Sequence, residues 1–299
     1  MSTPLLMNQP TPKRRLFCIN DNVPTESTSL LRDACNAREV EYVEIDAVSF
    51  DYDPSWQLQV GDMLFRPAVS HVARLAEQFL YRAGVATFWA GTFDVYFESS
   101  YWQLLLARSG VPMPRTIACT SPNRALLRTF VERLGGLPII IKCPGASRGI
   151  GVMRADSFST LFSLVDYVLS RGTVPYLAAY IDSATHWRVV VVGKRAVAAY
   201  RNIVEDDDFR TYAADDPTAY TSQVPEALAT IACRAVEALR LEHGGVDILE
   251  HPSGRLYLLE VNFPCYFPQA QLVGGIDVAG EMVEYLLAKR EQFIRESLR

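Results

Sequence analysis

Short apolar runs alternate with amphipathic stretches over the first hundred residues. The runs Leu16–Ile19, Tyr42–Ile45 and Asp62–Phe65 have the length and composition of β-strands. The segments Ser27–Ala37 and His71–Ala83 repeat their apolar residues at helical spacing. Strands that alternate with helices predict a parallel sheet covered by helices, which is an α/β fold.

A boundary between two units is predicted after the apolar helix Tyr101–Ser109. Gly110 closes this helix, and the Pro-punctuated connector VPMPRT follows. The polar segment EDDDFRTYAADDP, further along the chain, is predicted to be irregular. The regular elements predicted for the second unit are helix Asn123–Leu134, strand Leu137–Lys142, helix Ser157–Ser170, strands Tyr176–Ile181, Trp187–Val192 and Ala196–Arg201, helix Pro225–Leu239, a hairpin of VDILEH and RLYLLEV, and helix Val278–Arg290.

Composition and charge narrow the function classes. The 299 residues are 49% hydrophobic and 21% charged, which is typical of a globular protein. The net charge is −5 and the longest basic run is Lys13–Arg15, which argues against a nucleic-acid partner. No apolar run approaches the roughly 20 residues of a membrane span. Residues 1–13 are Pro-rich without a secretory core, so we expect a flexible arm and a cytoplasmic protein that does not bind membranes.

The cysteines give no metal signature. Six of them are scattered along the chain without a CxxC pair, and the four histidines stand at no ligand spacing from them. Free thiols in a reducing compartment are the expected state. Cys265 lies close to the acidic hairpin described next, but no histidine or aspartate partner for a nucleophile can be identified, so we expect it to pack rather than react.

The last predicted hairpin concentrates oxygen ligands. Residues two apart on a strand share a face, so Glu260 and Asn262 point the same way. If His251 pairs with Leu256 across the turn, Asp247 lies opposite Glu260. Two carboxylates and an amide oxygen on one face are the hard ligands that Mg²⁺ requires. The alternative is a solvated strand face with ordinary acidic residues.

A glycine-rich loop follows an apolar strand about a hundred residues upstream of this hairpin. Lys142 ends the strand, and Gly145, Gly149 and Gly151 follow in CPGASRGIGV. Glycines let backbone N–H groups approach phosphate oxygens, and a lysine supplies a point charge. The spacing fits neither the P-loop nor the dinucleotide-binding fingerprint. The loop and the hairpin together are more specific than either alone.

These motifs resemble the ATP-grasp superfamily, and within it the RimK-like carboxylate–amine ligases. The resemblance rests on LPIIIKCPGASRGIGV, GVDILEHPSGRLYLLEVN and GGIDVAGEMVEYLL, in order, over about residues 96 to 290. It implies an N-terminal parallel α/β domain followed by a two-lobed ATP-grasp fold. The predicted division is 1–13 for the arm, 14–112 for the N-terminal domain, 113–181 for the central lobe and 182–299 for the C-terminal lobe.

The same resemblance implies the site residues and the cofactors ATP and Mg²⁺. Arg188 and Arg210 would be catalytic, near the γ-phosphate and over the reaction centre. Asp247, Glu260 and Asn262 would hold magnesium. The residues that would contact the nucleotide are Lys142 and the loop Ala146, Ser147, Arg148, Gly149, Ile150 and Gly151, the hinge Ala178, Ala179, Tyr180 and Ile181, and Asp182 at the ribose.

The chain also departs from the family pattern. Ser99 stands where the family usually carries a second lysine, and the hinge has Ala178-Ala179 in place of a polar pair. TYAADDP and FPCYF, which border the expected acceptor pocket, also differ from the family, so glutamate is not carried over as the substrate.

The implied activity is an ADP-forming ligase that joins a carboxylate to an amine through an acyl phosphate. Its expected substrates are small carboxylates and amines, with an amino acid or a peptide favoured, and a homo-oligomer is compatible with the family. One alternative is a ligase that modifies a ribosomal peptide or a protein side chain. Another is a nucleotide-binding module that has lost catalysis, which the Ser99 departure would favour and the complete metal set would oppose.

Overall fold

The computed structural model describes residues 13–97, 102–143, 149–204 and 208–299. The predicted Ala146, Ser147 and Arg148 contacts and the Ser99 departure lie outside these ranges. The strands are β1 (Arg15–Asn20), β2 (Glu41–Asp46), β3 (Met63–Phe65), β4 (Thr116–Ala118), β5 (Ile139–Lys142), β6 (Val152–Ala155), β7 (Tyr176–Ala179), β8 (Thr185–Val192), β9 (Arg195–Val204), β10 (Thr211–Ala213), β11 (Tyr220–Thr221), β12 (His243–Glu250) and β13 (Leu256–Asn262). The α-helices are α1 (Thr25–Asn36), α2 (His71–Leu80), α3 (Trp102–Arg108), α4 (Arg124–Leu134), α5 (Phe158–Ser170), α6 (Glu226–Ala238), α7 (Pro268–Leu272) and α8 (Val278–Ser297).

The N-terminal region forms the predicted parallel sheet. Its strand order is β2-β1-β3, and both pairings are parallel. The helix α2 ends at Leu80 rather than Ala83, because Tyr81 turns to an extended conformation. Strand, helix and strand in sequence thus give the expected α/β arrangement.

The central lobe is an antiparallel four-stranded sheet of order β4-β7-β5-β6. One face of this sheet carries Ile139 and Ile141, which are fully buried against α4 and α5. Lys142 has the opposite parity on the same strand, so its side chain lies on the face that the helices leave open.

The C-terminal lobe is built on a second antiparallel sheet, of order β10-β9-β8-β12-β13, with β11 pairing β9. One face packs on α6 and the other packs on α8. The segment predicted to be irregular contains β10, since residues 211–213 pair with the outer end of β9. Helix α8 continues to Ser297, beyond the predicted end at Arg290.

The N-terminal region and the C-terminal lobe share their hydrophobic cores. Phe65 and Phe88 belong to the same buried cluster as Val190 and Met282. Lys289 of α8 donates hydrogen bonds to the carbonyls of Thr87 and Trp89, which reinforces this contact. The central lobe has a separate core of its own. In the ranges that the structure describes, no helix is long and apolar enough to cross a membrane.

Candidate functional site

The hairpin of β12 and β13 places its carboxylates opposite each other, by a route that differs from the prediction. At the turn, Leu256 pairs with Glu250, not with His251 as expected. A β-bulge then inserts Leu259 as an extra residue between the pairs of Ile248 and Asp247. The register therefore shifts by one, and Asp247 faces Glu260 across the two strands.

Arg188 and Asp247 form a bidentate ion pair on neighbouring strands. Arg188 Nε lies 2.5 Å from Asp247 Oδ1 and Nη2 lies 2.9 Å from Oδ2. The side chain of Asp247 is only 5% exposed. Burial by itself would raise the pKa of this carboxyl, but Arg188 and then His186 outweigh it and hold the pKa well below its usual range. Burial likewise opposes the charge of Arg188, while Asp247 raises its pKa. Both groups are therefore charged at neutral pH.

Glu260 is the second carboxylate of the hairpin and is exposed. We call the space between this hairpin and Lys142 of the central lobe the cleft. Partial loss of solvent around the carboxylate raises the pKa of Glu260, and the negative charge of Asp247 raises it further. The positive charge of Lys142 lowers it. Lys142 comes from the central lobe, so its charge reaches Glu260 from the opposite side of the cleft. The backbone of Lys142 pairs within the sheet, but among the described residues its ammonium forms no hydrogen bond and so stays available to an anion.

Asn262 completes the acidic face. Its amide nitrogen donates to Asp247 Oδ2 at 3.0 Å and to Glu260 Oε1 at 3.3 Å. A half-turn of the amide would present its oxygen there instead. Over the described residues, no group of three His, Cys, Asp or Glu side chains could hold a metal. Two carboxylates that repel each other beside an amide oxygen fit the ligand preference of Mg²⁺.

His186 is a site residue that the sequence pattern did not identify. Its side chain is 13% exposed and its Nε2 lies 3.3 Å from Asp247 Oδ1. Its Nδ1 hydrogen-bonds to the Thr211 hydroxyl of β10. Alternation on β8 could have revealed it, because His186 shares a face with Arg188.

Arg210 lies at the cleft but is engaged by a neighbour. Asp208 accepts from Arg210 Nε at 2.8 Å and also from the Tyr212 hydroxyl at 2.9 Å. The hydrogen bonds from Arg210 lower the pKa of Asp208, and Asp208 raises the pKa of Arg210. An added Cβ at Gly149 would meet Arg210 Cδ at 3.1 Å, so the two lobes approach closely at this point.

The described part of the glycine-rich loop leads into β6. Gly149 and Gly151 have positive φ values of 72° and 76°, which glycine adopts without strain. Ile150 between them is 68% exposed. The Cys143 N–H donates to the Gly151 carbonyl, which ties the end of the loop to β5.

The predicted hinge residues lie where the central lobe ends. Ala178 and Ala179 are in β7, which β4 and β5 flank. Tyr180 and Ile181 continue from that strand, and Asp182 begins an exposed turn. The Arg154 guanidinium lies 4.6 Å from the Tyr180 ring centroid, a cation–π contact beside the hinge.

Small residues make room for Arg188. An added Cβ at Gly245 would meet Cys265 Sγ at 2.5 Å and Arg188 Nη1 at 3.0 Å. Burial raises the pKa of the Cys265 thiol to about 11, so the thiol is protonated at neutral pH. Cys265 therefore packs against Arg188, and its thiolate is not available as a nucleophile.

The loop after Asn262 is anchored to the N-terminal region. The Phe263 ring packs edge-on against Trp89 at 4.9 Å between centroids, and the Arg66 guanidinium lies 5.8 Å from it. Arg66 is buried and paired with Glu77 at 2.7 Å, and Glu77 also accepts from Trp89 Nε1. The end of β13 is thus fixed by a buried polar network.

Comparison with known proteins places these residues in a family. A family model for the RimK-like ATP-grasp domain matches residues 100–286, which is more than half of the chain. A probable alpha-L-glutamate ligase of Enterobacter sp. (strain 638) is 30% identical over 184 residues, which are 61% of this chain and 60% of that protein. A ribosomal protein bS6–L-glutamate ligase of Escherichia coli O139:H28 is 29% identical over the same shares of the two chains. This chain thus spans about 60% of the length of these curated relatives.

Solved structures share the whole fold. The ATP-grasp ligase PsnB, complexed with a minimal precursor, Mg and ADP, superposes with a TM-score of 0.69 at 15% identity. The superposition covers 92% of this chain and 98% of PsnB. At that identity the similarity shows the fold alone, and it confirms the predicted ATP-grasp architecture with its N-terminal α/β region.

Proposed function

The chain belongs to the RimK-like ATP-grasp family, and from that premise we propose that it is an ADP-forming ligase that joins a carboxylate to an amine. ATP and Mg²⁺ are the cofactors of the family. The observation that carries the proposal is the hairpin itself, in which Asp247 and Glu260 face each other beside Asn262. Arg188 lies on the same face, and Lys142 approaches from the other lobe.

Each residue then has a role that its surroundings support. Glu260 and Asn262, with Asp247, would hold Mg²⁺, and Lys142 would bind phosphate oxygens. Arg188 is fixed by Asp247 at a position where it can neutralise charge that develops on a transferred phosphoryl group. Arg210, on the neighbouring loop, would also neutralise this charge once an anion replaces Asp208 as the partner of its guanidinium. When bound, ATP supplies the phosphoryl group that activates the carboxylate as an acyl phosphate.

The names of the relatives support a proposal for the substrate class. One relative is named for a ribosomal protein and another for glutamate, and PsnB was solved with a peptide precursor. We therefore infer that the substrates are amino acids or peptides. A peptide or protein side chain as the carboxylate is the second candidate, favoured by the exposed Tyr212 and Tyr266, which offer aromatic contact surface beside the site.

ADP release tests the proposal. Purified protein with ATP·Mg²⁺ is incubated with pooled amino acids, small carboxylates and acidic peptides, and productive pools are then divided. We expect ADP release that needs both a carboxylate and an amine. Glu260→Gln should abolish it, while Glu250→Gln, on the same hairpin but bonded to Trp187, should not. Release that is independent of the carboxylate, or that survives Glu260→Gln, would contradict the proposal.

A further inference from the structure

Asn202 lies on the face of β9 that corresponds to the site residues of β8. It pairs directly with His186 of β8 on one side and with Ala213 of β10 on the other. Directly paired residues of an antiparallel sheet project to the same face, so Asn202 shares its face with His186 and Arg188. Arg188 is two positions further along β8, which is about 7 Å at the usual rise of a strand.

The side-chain oxygen of Asn202 is a buried acceptor that receives no hydrogen bond from the described residues. Buried polar atoms without a partner are rare in folded proteins and point to a ligand or an ordered water. His186, its directly paired neighbour on β8, does not satisfy it, because His186 uses Nδ1 for Thr211 and turns Nε2 towards Asp247. The small side chain of Ala213, on the other flank, supplies no donor.

The chemistry of this acceptor differs from that of the rest of the site. Arg188, Arg210 and Lys142 are cations that suit phosphate and carboxylate oxygens. An amide oxygen instead requires an N–H or O–H donor. The reacting nitrogen of the amine substrate carries such a donor, whereas an ionised carboxylate and a phosphate present only acceptors.

We propose that Asn202 binds the amine substrate, with its Oδ1 accepting an N–H hydrogen bond and so orienting the nitrogen lone pair. This inference rests on the proposed ligase function. In the transfer step the amine lone pair forms the C–N bond and the acyl C–O bond breaks. Its electron pair leaves with the phosphate, and the proton lost from nitrogen passes to solvent.

Hydroxylamine separates the two halves of the reaction. At high concentration it attacks an activated carboxylate without a dedicated binding residue and gives a hydroxamate. The measured quantity is the ratio of amide to hydroxamate, formed in parallel from the carboxylate that supports ADP release in the pooled screen. Two variants of Asn202 are compared. Asn202→Leu keeps a side chain of similar size but removes the acceptor oxygen, whereas Asn202→Asp keeps both the size and the acceptor oxygen. Ile203→Ala, at the exposed neighbouring position on the opposite face, is the control.

We expect the ratio to fall about tenfold in Asn202→Leu, the effect of one lost hydrogen bond to substrate, and to change less than about threefold in Asn202→Asp and Ile203→Ala. Amide and hydroxamate that fall together would leave the ratio unchanged and overturn the inference. An unchanged ratio with full activity would show that Oδ1 binds only water, which overturns it as well. If the unsubstituted protein gives neither ADP nor hydroxamate with any carboxylate, the proposed function itself fails.

Discussion

The two walls of the cleft are built from different kinds of core. Behind Lys142, the central lobe packs only apolar side chains, and none of the buried charged residues in the described ranges belongs to it. Behind Glu260, the C-terminal lobe and the N-terminal region share a core that encloses the Arg66–Glu77 pair and the Arg188–Asp247 pair. The C-terminal wall is therefore fixed in its charge pattern before any ligand binds, since each buried charge needs its partner.

The central wall offers groups that are still available. The Lys142 ammonium forms no hydrogen bond among the described residues, and Ile150 of its loop is exposed. A lysine on a flexible stem and a glycine backbone can adapt to phosphate oxygens. One wall therefore presents a fixed face of carboxylates and arginine. On the proposed function, the other wall would supply contacts that form when the nucleotide binds.

Removing one cation from each wall should have the largest effects, and the effects on stability should differ between the walls. Arg188→Gln leaves Asp247 buried without its ion pair, so we expect the free energy of unfolding to fall by about 3 kcal/mol. Lys142→Gln leaves only the exposed Glu260 without its attraction, so it should change the free energy of unfolding by less than about 0.5 kcal/mol. Both should lower ADP release at least about a hundredfold. Denaturant unfolding and ADP release measure the two effects, and equal stability losses would contradict the contrast.

The shared core should also make stability depend on pH. His243 is fully buried among the Phe65, Phe88 and Phe263 rings, and burial lowers its pKa to about 4. The unfolded chain, with a usual pKa near 6.5, then binds the proton more tightly than the folded one. The stabilisation is complete above about pH 6.5 and is lost as the pH falls towards 4, by about 3 kcal/mol in total.

Denaturant unfolding between pH 4 and pH 7 checks this dependence. His243→Leu should flatten the curve over that range. His71→Leu, at an exposed histidine, should leave it unchanged. A curve that keeps its full slope in His243→Leu would assign the dependence to other groups.

Gly149→Ala tests the point where the two walls approach each other, which is the contact between Gly149 and Arg210. The positive φ of 72° strains alanine, and its Cβ would lie 3.1 Å from Arg210 Cδ. We expect the KM for ATP to rise about tenfold, since backbone and arginine must both shift. Gly172→Ala has nearly the same φ, 74°, with nothing within 4 Å, and should leave the KM unchanged. Equal KM values in the two variants would mean that the contact with Arg210 has no role.

The smallest effect is expected at Cys265. Because its thiol is protonated and packs against Arg188, Cys265→Ser should change ADP release by less than about threefold. The small change is also expected from the proposed reaction, because the acyl phosphate passes its acyl group directly to the amine and no thiol takes part. Loss of turnover in Cys265→Ser, with stability unchanged, would show that the thiol takes part in the reaction.

Local pattern predicted most of the fold, and pairing across the chain accounts for what it missed. The N-terminal strands and helices follow from periodicity, because each buries one face. Short strands such as β6 and β10 were not predicted, since they exist only through their pairing with β5 and β9. The predicted pairing at the turn of the acidic hairpin was wrong by one residue. The bulge at Leu259 shifts the register by one, so Asp247 still faces Glu260 as predicted.

In the site, too, local pattern predicted some features and missed those that depend on pairing between distant strands. The acidic face of β13 could be predicted from two-residue alternation, but the ion pair of Arg188 with Asp247 joins residues 59 apart in sequence. Nothing in the local pattern indicates that β8 neighbours β12, or that His186 reaches Asp247. The roles assigned to the nucleotide and metal contacts, and the domain boundaries, stay predictions.

Isotope transfer tests the central claim most directly. The carboxylate that supports ADP release is labelled with ¹⁸O in its carboxyl group and incubated with ATP·Mg²⁺, the amine and the protein. Activation as an acyl phosphate predicts that one ¹⁸O per amide formed appears in the released phosphate, detected by mass spectrometry. Phosphate without label, formed alongside ADP, would mean that water rather than the carboxylate takes the phosphoryl group, and would contradict the ligase account.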